Sequence, residues 1–226
     1  VADNLARVEF PGEHGYAQAG ALLAQVSRQA AAHSLRGLEF AVGIPGTIGG
    51  GVIMNAGAYG GEMKDIVTQV RAVDLDGELH VLPAPRMEFA YRSSALQGRG
   101  WIVVDIDMGL AAGDAAEIRA RMDDYTRQRT SKQPLELPSA GSVFKRPPGA
   151  YVGPMVEGLG LKGYRIGGAM VSEKHAGFIV NCGGATAADV LALIEHVRGR
   201  VRDEFGVTLE TEVRLIGEDG PPSARE

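Results

Sequence analysis

The chain has a single cysteine, Cys182, so no disulfide can form within it, and no Cys/His spacing resembles a zinc site. That scarcity fits a reducing compartment. No stretch approaches the roughly eighteen consecutive apolar residues of a membrane-spanning helix, so no membrane partner is expected. An excess of positive charge is missing as well. With 28 acidic residues against 23 basic ones, the net charge is −5, which argues against a general nucleic-acid binder. Two catalytic signatures are also absent: no GxxxxGK[ST] phosphate loop and no GxSxG nucleophile elbow. The chain opens on Val1 without a basic-then-apolar leader, and its natural N-terminus is expected to lie further upstream. What remains, 226 residues of which 45% are hydrophobic, is enough for one large domain or two modest ones. An enzyme or a ligand-binding protein is the default reading.

What the chain has in abundance is glycine, most densely in Gly43 to Glu62, GIPGTIGGGVIMNAGAYGGE, with eight glycines in twenty residues. Such a run suits neither a regular helix nor a regular strand throughout, and it lets backbone N–H groups converge on an anionic oxygen. A tight structural loop between packed strands is the competing reading. Asn55 and Tyr59 are polar handles inside the run.

Along the rest of the chain, Val8 to Phe10 reads as extended. Ala17 to His33 reads as a helix with Leu22, Leu23, Val26 and Ala30 on one face. Ile66 to Asp74 and Leu79 to Leu82 read as strands joined by a turn at Asp76-Gly77. Trp101 to Leu110 alternates, with Ile102, Val104, Ile106 and Met108 on one face and Asp105 and Asp107 on the other. Asp114 opens a helix to about Thr130, with Ile118, Met122 and Tyr125 as its apolar stripe. The aperiodic TSKQPLELPS, Thr130 to Ser139, marks a domain boundary. Phe178 to Asn181 is a strand, and Thr186 caps a helix that buries Val190, Ile194, Val197, Val201 and Phe205 and stops at Gly206. Thr208 to Ile216 then reads as a second strand, completing a β-α-β unit.

Chemistry concentrates in three further places. In Tyr91-Arg92-Ser93-Ser94, the Arg92 guanidinium suits bidentate recognition of a carboxylate, though a lone arginine is more often a surface residue. Ser142, in AGSVFKRP, could donate a proton only if its alkoxide were stabilised or quickly reprotonated; as a bare sequence it reads as a turn serine. Glu212, in ETEVR, shares a strand face with Glu210 and Arg214, a pattern that usually faces water. From Lys132 to His175 six basic residues meet only three acids, so an acidic chain gathers positive charge beside glycine-rich turns, as an anionic ligand would require.

The strings GIPGTIGGGVIMNAGAYGG, YRSS, GSVFKRP, LKGYRIGGAMVSEKHAGFIVN and EVRLIGE, in that order over nearly the whole chain, resemble the UDP-N-acetylmuramate dehydrogenase (MurB) family in the form without the extra tyrosine-bearing loop. The resemblance implies an α+β fold: a partial FAD-binding domain over residues 1–131, a smaller α+β substrate domain over 132–218 and a tail at 219–226. It implies bound FAD, touched by Gly43, Ile44, Pro45, Gly46, Thr47, Gly49, Gly50, Asn55, Ala56 and Gly57. Ser142 corresponds to the family's proton donor, and Arg92 and Glu212 to its two other catalytic positions. Tyr91, Lys145, Arg146, Lys162, Arg165, Lys174 and His175 fall on the substrate side, toward a UDP-sugar; no metal is implied.

The reaction implied is reduction of UDP-N-acetylglucosamine enolpyruvate by NADPH through the flavin, in the cytoplasm of a bacterium and by a monomer. The family's preceding FAD-binding lobe, with its GGGSN-type turn, has no counterpart here. The alternative expectation is therefore a shortened, redox-inactive paralogue that binds a UDP-sugar or acts as a scaffold.

Overall fold

The computed structural model describes residues 4–217, and the expected tail lies outside them. The chain divides between Arg129 and Thr130 into two compact units.

The first unit is built on a five-stranded antiparallel sheet of order β1-β2-β8-β6-β7, formed by β1 (Val8–Glu9), β2 (His14–Gln18), β6 (Val67–Val73), β7 (Leu79–Pro83) and β8 (Ile102–Gly109). The β6–β7 hairpin follows from its turn chemistry. Asp74 Oδ1 accepts from the N–H groups of Asp76 (3.0 Å) and Glu78 (2.9 Å), and Gly77 takes φ +86°. One face carries α1 (Leu23–Ala32) and α2 (Ile48–Ile53), with Leu23, Val26, Ile48, Val52, Ile106 and Met108 fully buried between them. Two small ladders complete the unit: β3 (Leu35–Arg36) with β9 (Ala111–Ala112), and β4 (Gly57–Ala58) with β5 (Gly61–Glu62). The long helix α3 (Ala115–Lys132) starts where expected, its first N–H groups taken by Asp114 Oδ1 at 2.8 and 2.9 Å.

Two expectations need correction here. The helix expected from Ala17 begins only at Leu23, because Ala17 pairs with both Val8 and Ile106 and so belongs to β2; Leu22 is the residue before the helix and 43% exposed. The small residues after β2 let α2 lie close, since a Cβ on Gly49 would stand 2.9 Å from that of Ala19. In β8 the alternation breaks. Arg71 of β6 opposes Asp105 and Ala72 opposes Val103, so Val104 is an extra residue that shifts the facing of the strand. Val103 is therefore buried and Ile102 is 56% exposed. Asp105 is nearly buried, paired with Arg71 and bonded by the Tyr16 hydroxyl at 3.2 Å.

The second unit is an antiparallel sheet of order β10-β13-β12-β11, from β10 (Ser139–Ser142), β11 (Arg165–Ile166), β12 (Ala169–Val171) and β13 (Phe178–Asn181), with the helices α4 (Val152–Gly158) and α5 (Ala187–Phe205). α5 has the expected ends: Asp189 N donates to Thr186 Oγ1 (3.1 Å), Thr186 N donates to Asp189 Oδ2 (2.9 Å), and Gly206 closes it at φ +66°. Its buried stripe is Leu193, Ile194, Val197 and Val201, while Phe205 is 45% exposed.

The expected β-α-β unit is not formed. After α5 the described residues make only an isolated antiparallel bridge, Thr211 with Phe144, flanked by Lys145 N to Glu210 O (2.9 Å) and Glu212 N to Val143 O (2.8 Å). The segment after α5 thus pairs beside the residues that follow Ser142, and the sheet is antiparallel throughout.

Candidate active site

In the first unit the glycine run is two surfaces in one. Gly49, Gly51, Gly57 and Gly61 are small because the protein itself fills the space. A Cβ on Gly51 would meet Leu23 at 2.9 Å, one on Gly57 the Gly61 carbonyl at 2.7 Å, and one on Gly61 the Phe40 ring at 2.7 Å. Gly43 is likewise covered, by the Arg129 stem at 2.8 Å. Gly46 and Gly50 are different. Nothing lies within 4 Å of a Cβ position on Gly46, which takes φ +102°, and Gly50 has only the Thr47 hydroxyl at 3.8 Å. Ile44 and Pro45 lead into this open strip, Gly46 O accepts from Leu23 N (3.1 Å), and Thr47 caps α2 through Gly50 N. Gly46 and Gly50 are where a flavin could lie against bare backbone, so the residues present fit the group on that side.

Asn55 looks inward. It is 1% exposed, takes φ +42°, donates to Glu62 Oε2 (2.7 Å) and Ala90 O (3.0 Å), and accepts from Lys64 N (2.9 Å). Its side chain holds the loop in shape. Ala56 bonds Gly51 O and Met63 N in the same manner. Lys64 first, then Asn55, with the charge of Arg92 adding, holds the Glu62 carboxyl below its ordinary range. The Tyr59 ring stacks on Tyr125 at 4.4 Å, and burial pushes its phenol up.

Arg92 stands on a tight turn closed by two bonds between Ala90 and Ser93, each 3.1 Å. It takes φ +54°, and its guanidinium lies 5.0 Å from the ring centroid of the half-exposed Tyr91.

In the second unit Ser142 ends β10, opposite Phe178, with its side chain exposed and Gly141 before it at φ +82°. Pairing of Phe144 with Thr211 sets Glu212 across from Val143, one residue from Ser142. Beyond the buried Val143 and Phe144, Lys145 pairs with Glu210 (3.1 Å) and the Arg146 guanidinium stacks 3.8 Å over Tyr151. Lys162 and His175 form a second group. Burial first, then the Lys162 charge, holds the His175 imidazole below its ordinary value. Its Nδ1 accepts from Gly177 N (3.0 Å), which fixes the proton of the neutral ring on Nε2. Lys162 itself pairs with Glu157 at 2.7 Å. Lys174 donates to Thr130 O (2.8 Å), and Arg165 is exposed on β11. A groove of 420 Å³ elsewhere in this unit, between α5 and residues 213–215, is apolar and includes none of these side chains.

The sequence reading passed over Ser94 and Gln97, whose side chains bond the C-terminal end of α2: Ser94 Oγ to Ile53 O at 2.8 Å and Gln97 Nε2 to Met54 Sδ at 3.2 Å. Only their place, Ser94 at the end of YRSS and Gln97 shortly beyond it, hinted at them.

The fold is of the α+β class in two units, the first with open backbone at Gly46 and Gly50 and an arginine turn at the far end of α2, the second with a serine, a carboxylate and several cations. Two family models match in the same order. One is a FAD binding domain over residues 12–83, and the other is the C-terminal domain of UDP-N-acetylenolpyruvoylglucosamine reductase over 133–216. The chain is 52% identical over 219 residues to a reductase of that name from Syntrophomonas wolfei, covering 97% of this chain and 73% of that one. It is 52% identical over 216 residues to another from Geobacillus kaustophilus, covering 96% and 71%. The crystal structure of the enzyme from Thermus caldophilus superimposes with a TM-score of 0.79 at 40% identity, over 88% of this chain and 71% of that one. The chain belongs to the UDP-N-acetylenolpyruvoylglucosamine reductase (MurB) family.

Proposed function

We propose that this protein reduces the enolpyruvyl double bond of UDP-N-acetylglucosamine enolpyruvate to give UDP-N-acetylmuramate for peptidoglycan synthesis, with NADPH as reductant. The flavin work falls to residues 1–131 and substrate binding to 132–218. The observation that carries this reading is the bridge of Phe144 with Thr211, which sets Glu212 across from Val143, the neighbour of Ser142.

FAD, held against the open backbone at Gly46 and Gly50, would supply the hydride chemistry that links NADPH to C3 of the enolpyruvyl group. Everything else is the work of side chains. Hydride arriving at C3 drives electron density onto C2 and the carboxylate. Arg92 pairs with that carboxylate and stabilises the charge as it grows, which is the differential effect catalysis needs. The Ser142 hydroxyl gives its proton to C2, so hydride and proton together saturate the double bond. Glu212, one residue away on the paired segment, returns a proton to the serine oxygen. Lys162 and the Nε2–H of His175 supply donors for the UDP diphosphate, with Tyr91, Lys145, Arg146, Arg165 and Lys174 on the substrate side.

The same reading makes the protein a cytoplasmic bacterial monomer that works on a small molecule, without nucleic-acid or membrane partners. Its net charge of −5 supports the first exclusion. Among the described residues no helix is long and apolar enough to cross a membrane.

Glu212 gives the test. Glu212→Gln keeps the shape and removes the transferable proton, so turnover should fall by about a hundredfold or more, with substrate affinity little changed. Full turnover in Glu212→Gln would rule out the relay. Full turnover in Glu212→Ala as well would remove Glu212 from the chemistry altogether.

A further inference from the structure

The turn that carries Arg92 is held in a backbone conformation that L-residues seldom adopt. Arg92 takes φ +54° with a Cβ and a long side chain, and such a residue stays there only when its surroundings over-determine it. The surroundings are on view. Ala90 and Ser93 exchange two backbone bonds, and Asn55 Nδ2 holds Ala90 O at 3.0 Å. Ser94 Oγ donates to Ile53 O at 2.8 Å. Gln97 Nε2 donates to the carbonyl of Arg92 itself at 2.8 Å, and the same amide nitrogen reaches Ile53 O (3.4 Å) and Met54 Sδ (3.2 Å) at the end of α2. One side-chain amide thus ties the peptide plane that follows Arg92 to the end of the glycine-rich helix.

We propose that Gln97 is a positioning residue for the reduction. By fixing the Arg92 carbonyl it fixes the left-handed turn, and with it the direction in which the guanidinium leaves the backbone. Without the bond, nothing in the Arg92 side chain favours positive φ, and relaxation toward the ordinary region swings the Cα–Cβ vector away. A guanidinium that must meet both oxygens of a carboxylate tolerates little of that, because bidentate pairing is directional and misplacement near 1 Å can cost about a hundredfold in rate. Gln97 is suited to the task. It lies in the next turn of the chain, is half-buried, and spends its donors on backbone and sulfur acceptors. This inference rests on the reading of Arg92 as the ligand of the substrate carboxylate.

The experiment compares Gln97→Met, of similar length but with no donor, and Gln97→Glu, of the same shape but with an acceptor against the carbonyl, with Arg92→Met. Two ligands are titrated onto the oxidised flavoprotein without NADPH: the enolpyruvyl substrate, and UDP-N-acetylglucosamine, which lacks the carboxylate. Steady-state kinetics, melting temperature and flavin absorbance are recorded alongside. The Gln97 variants should lose most of the preference for the carboxylate-bearing ligand and about tenfold to a hundredfold in kcat/KM, with affinity for UDP-N-acetylglucosamine, melting temperature and flavin spectrum unchanged. If Arg92→Met loses the preference and both Gln97 variants keep it, Gln97 does not position the arginine and the inference fails while the role of Arg92 stands. If the Gln97 variants weaken both ligands alike and melt earlier, the amide is merely structural, and the inference fails. If Arg92→Met itself keeps the preference, the carboxylate reading of Arg92 falls and takes the inference with it.

Discussion

Ser142→Ala should lower turnover by about a hundredfold to ten-thousandfold, the range in which a positioned proton donor acts, while NADPH still bleaches the bound flavin at its normal rate. The proposed role of Ser142, which stands in the second unit at the end of β10, belongs to the second half of the reaction alone, so the two halves should separate. Hydride addition to C3 without a positioned proton for C2 leaves an enolate-like species that must wait for a proton from water. Alanine is a mild substitution here, since Ser142 is exposed and followed by the buried pair Val143 and Phe144, which carry the packing. A melting temperature within a degree or two of the parent is therefore expected, which assigns the loss to chemistry. Rapid-mixing absorbance with NADPH alone, followed by addition of the enolpyruvyl substrate, checks both parts. Equal loss in the two halves would mean that Ser142 matters for flavin binding, against the account.

The largest loss of stability is expected from Asn55→Leu, roughly 3–5 kcal/mol. Leucine would strand the Lys64 N–H, which Asn55 meets at 2.9 Å, leave the Ala90 carbonyl with Ser93 N as its remaining partner, and remove the Glu62 partner at 2.7 Å. It would also hold a branched side chain at φ +42°, where asparagine is tolerated better. The site is 1% exposed, so water cannot take over the stranded groups. Glu62 adds a pH signature. Its carboxyl lies below the ordinary range in the folded protein, so its contribution is present at neutral pH and lost as pH falls through the depressed value. The mutant should lose part of that acid sensitivity. Urea unfolding of parent and variant at neutral and acidic pH measures both effects; a loss under about 1 kcal/mol would mean that the loop is held by its backbone alone.

What could be read in advance follows from how local each signal is. α5 was legible because its apolar period, its Thr186 cap and its Gly206 stop all lie within its own twenty-odd residues. The β6–β7 hairpin was legible because Asp74 and Gly77 dictate the turn between them. The facing of β8 was not, since the extra residue at Val104 is set by a neighbouring strand some thirty residues away. Residues 208–216 alternate like a strand, but alternation says nothing about how many partners a segment finds, and among the described residues only Thr211 finds a bridge there. The site divides in the same way. Ser142, Arg92 and Glu212 stood out through their motif strings. The inward turn of Asn55 and the grip of Gln97 on Arg92 depend on the fold bringing α2 against the YRSS turn.

The most direct test follows NADPH absorbance with the purified protein and FAD, before and after addition of UDP-N-acetylglucosamine enolpyruvate. The account predicts slow loss of NADPH without the substrate, and with it rapid loss of one NADPH for each UDP-N-acetylmuramate formed. Protein that retains FAD yet returns the enolpyruvyl substrate unchanged would contradict the claim that this chain is the reductase.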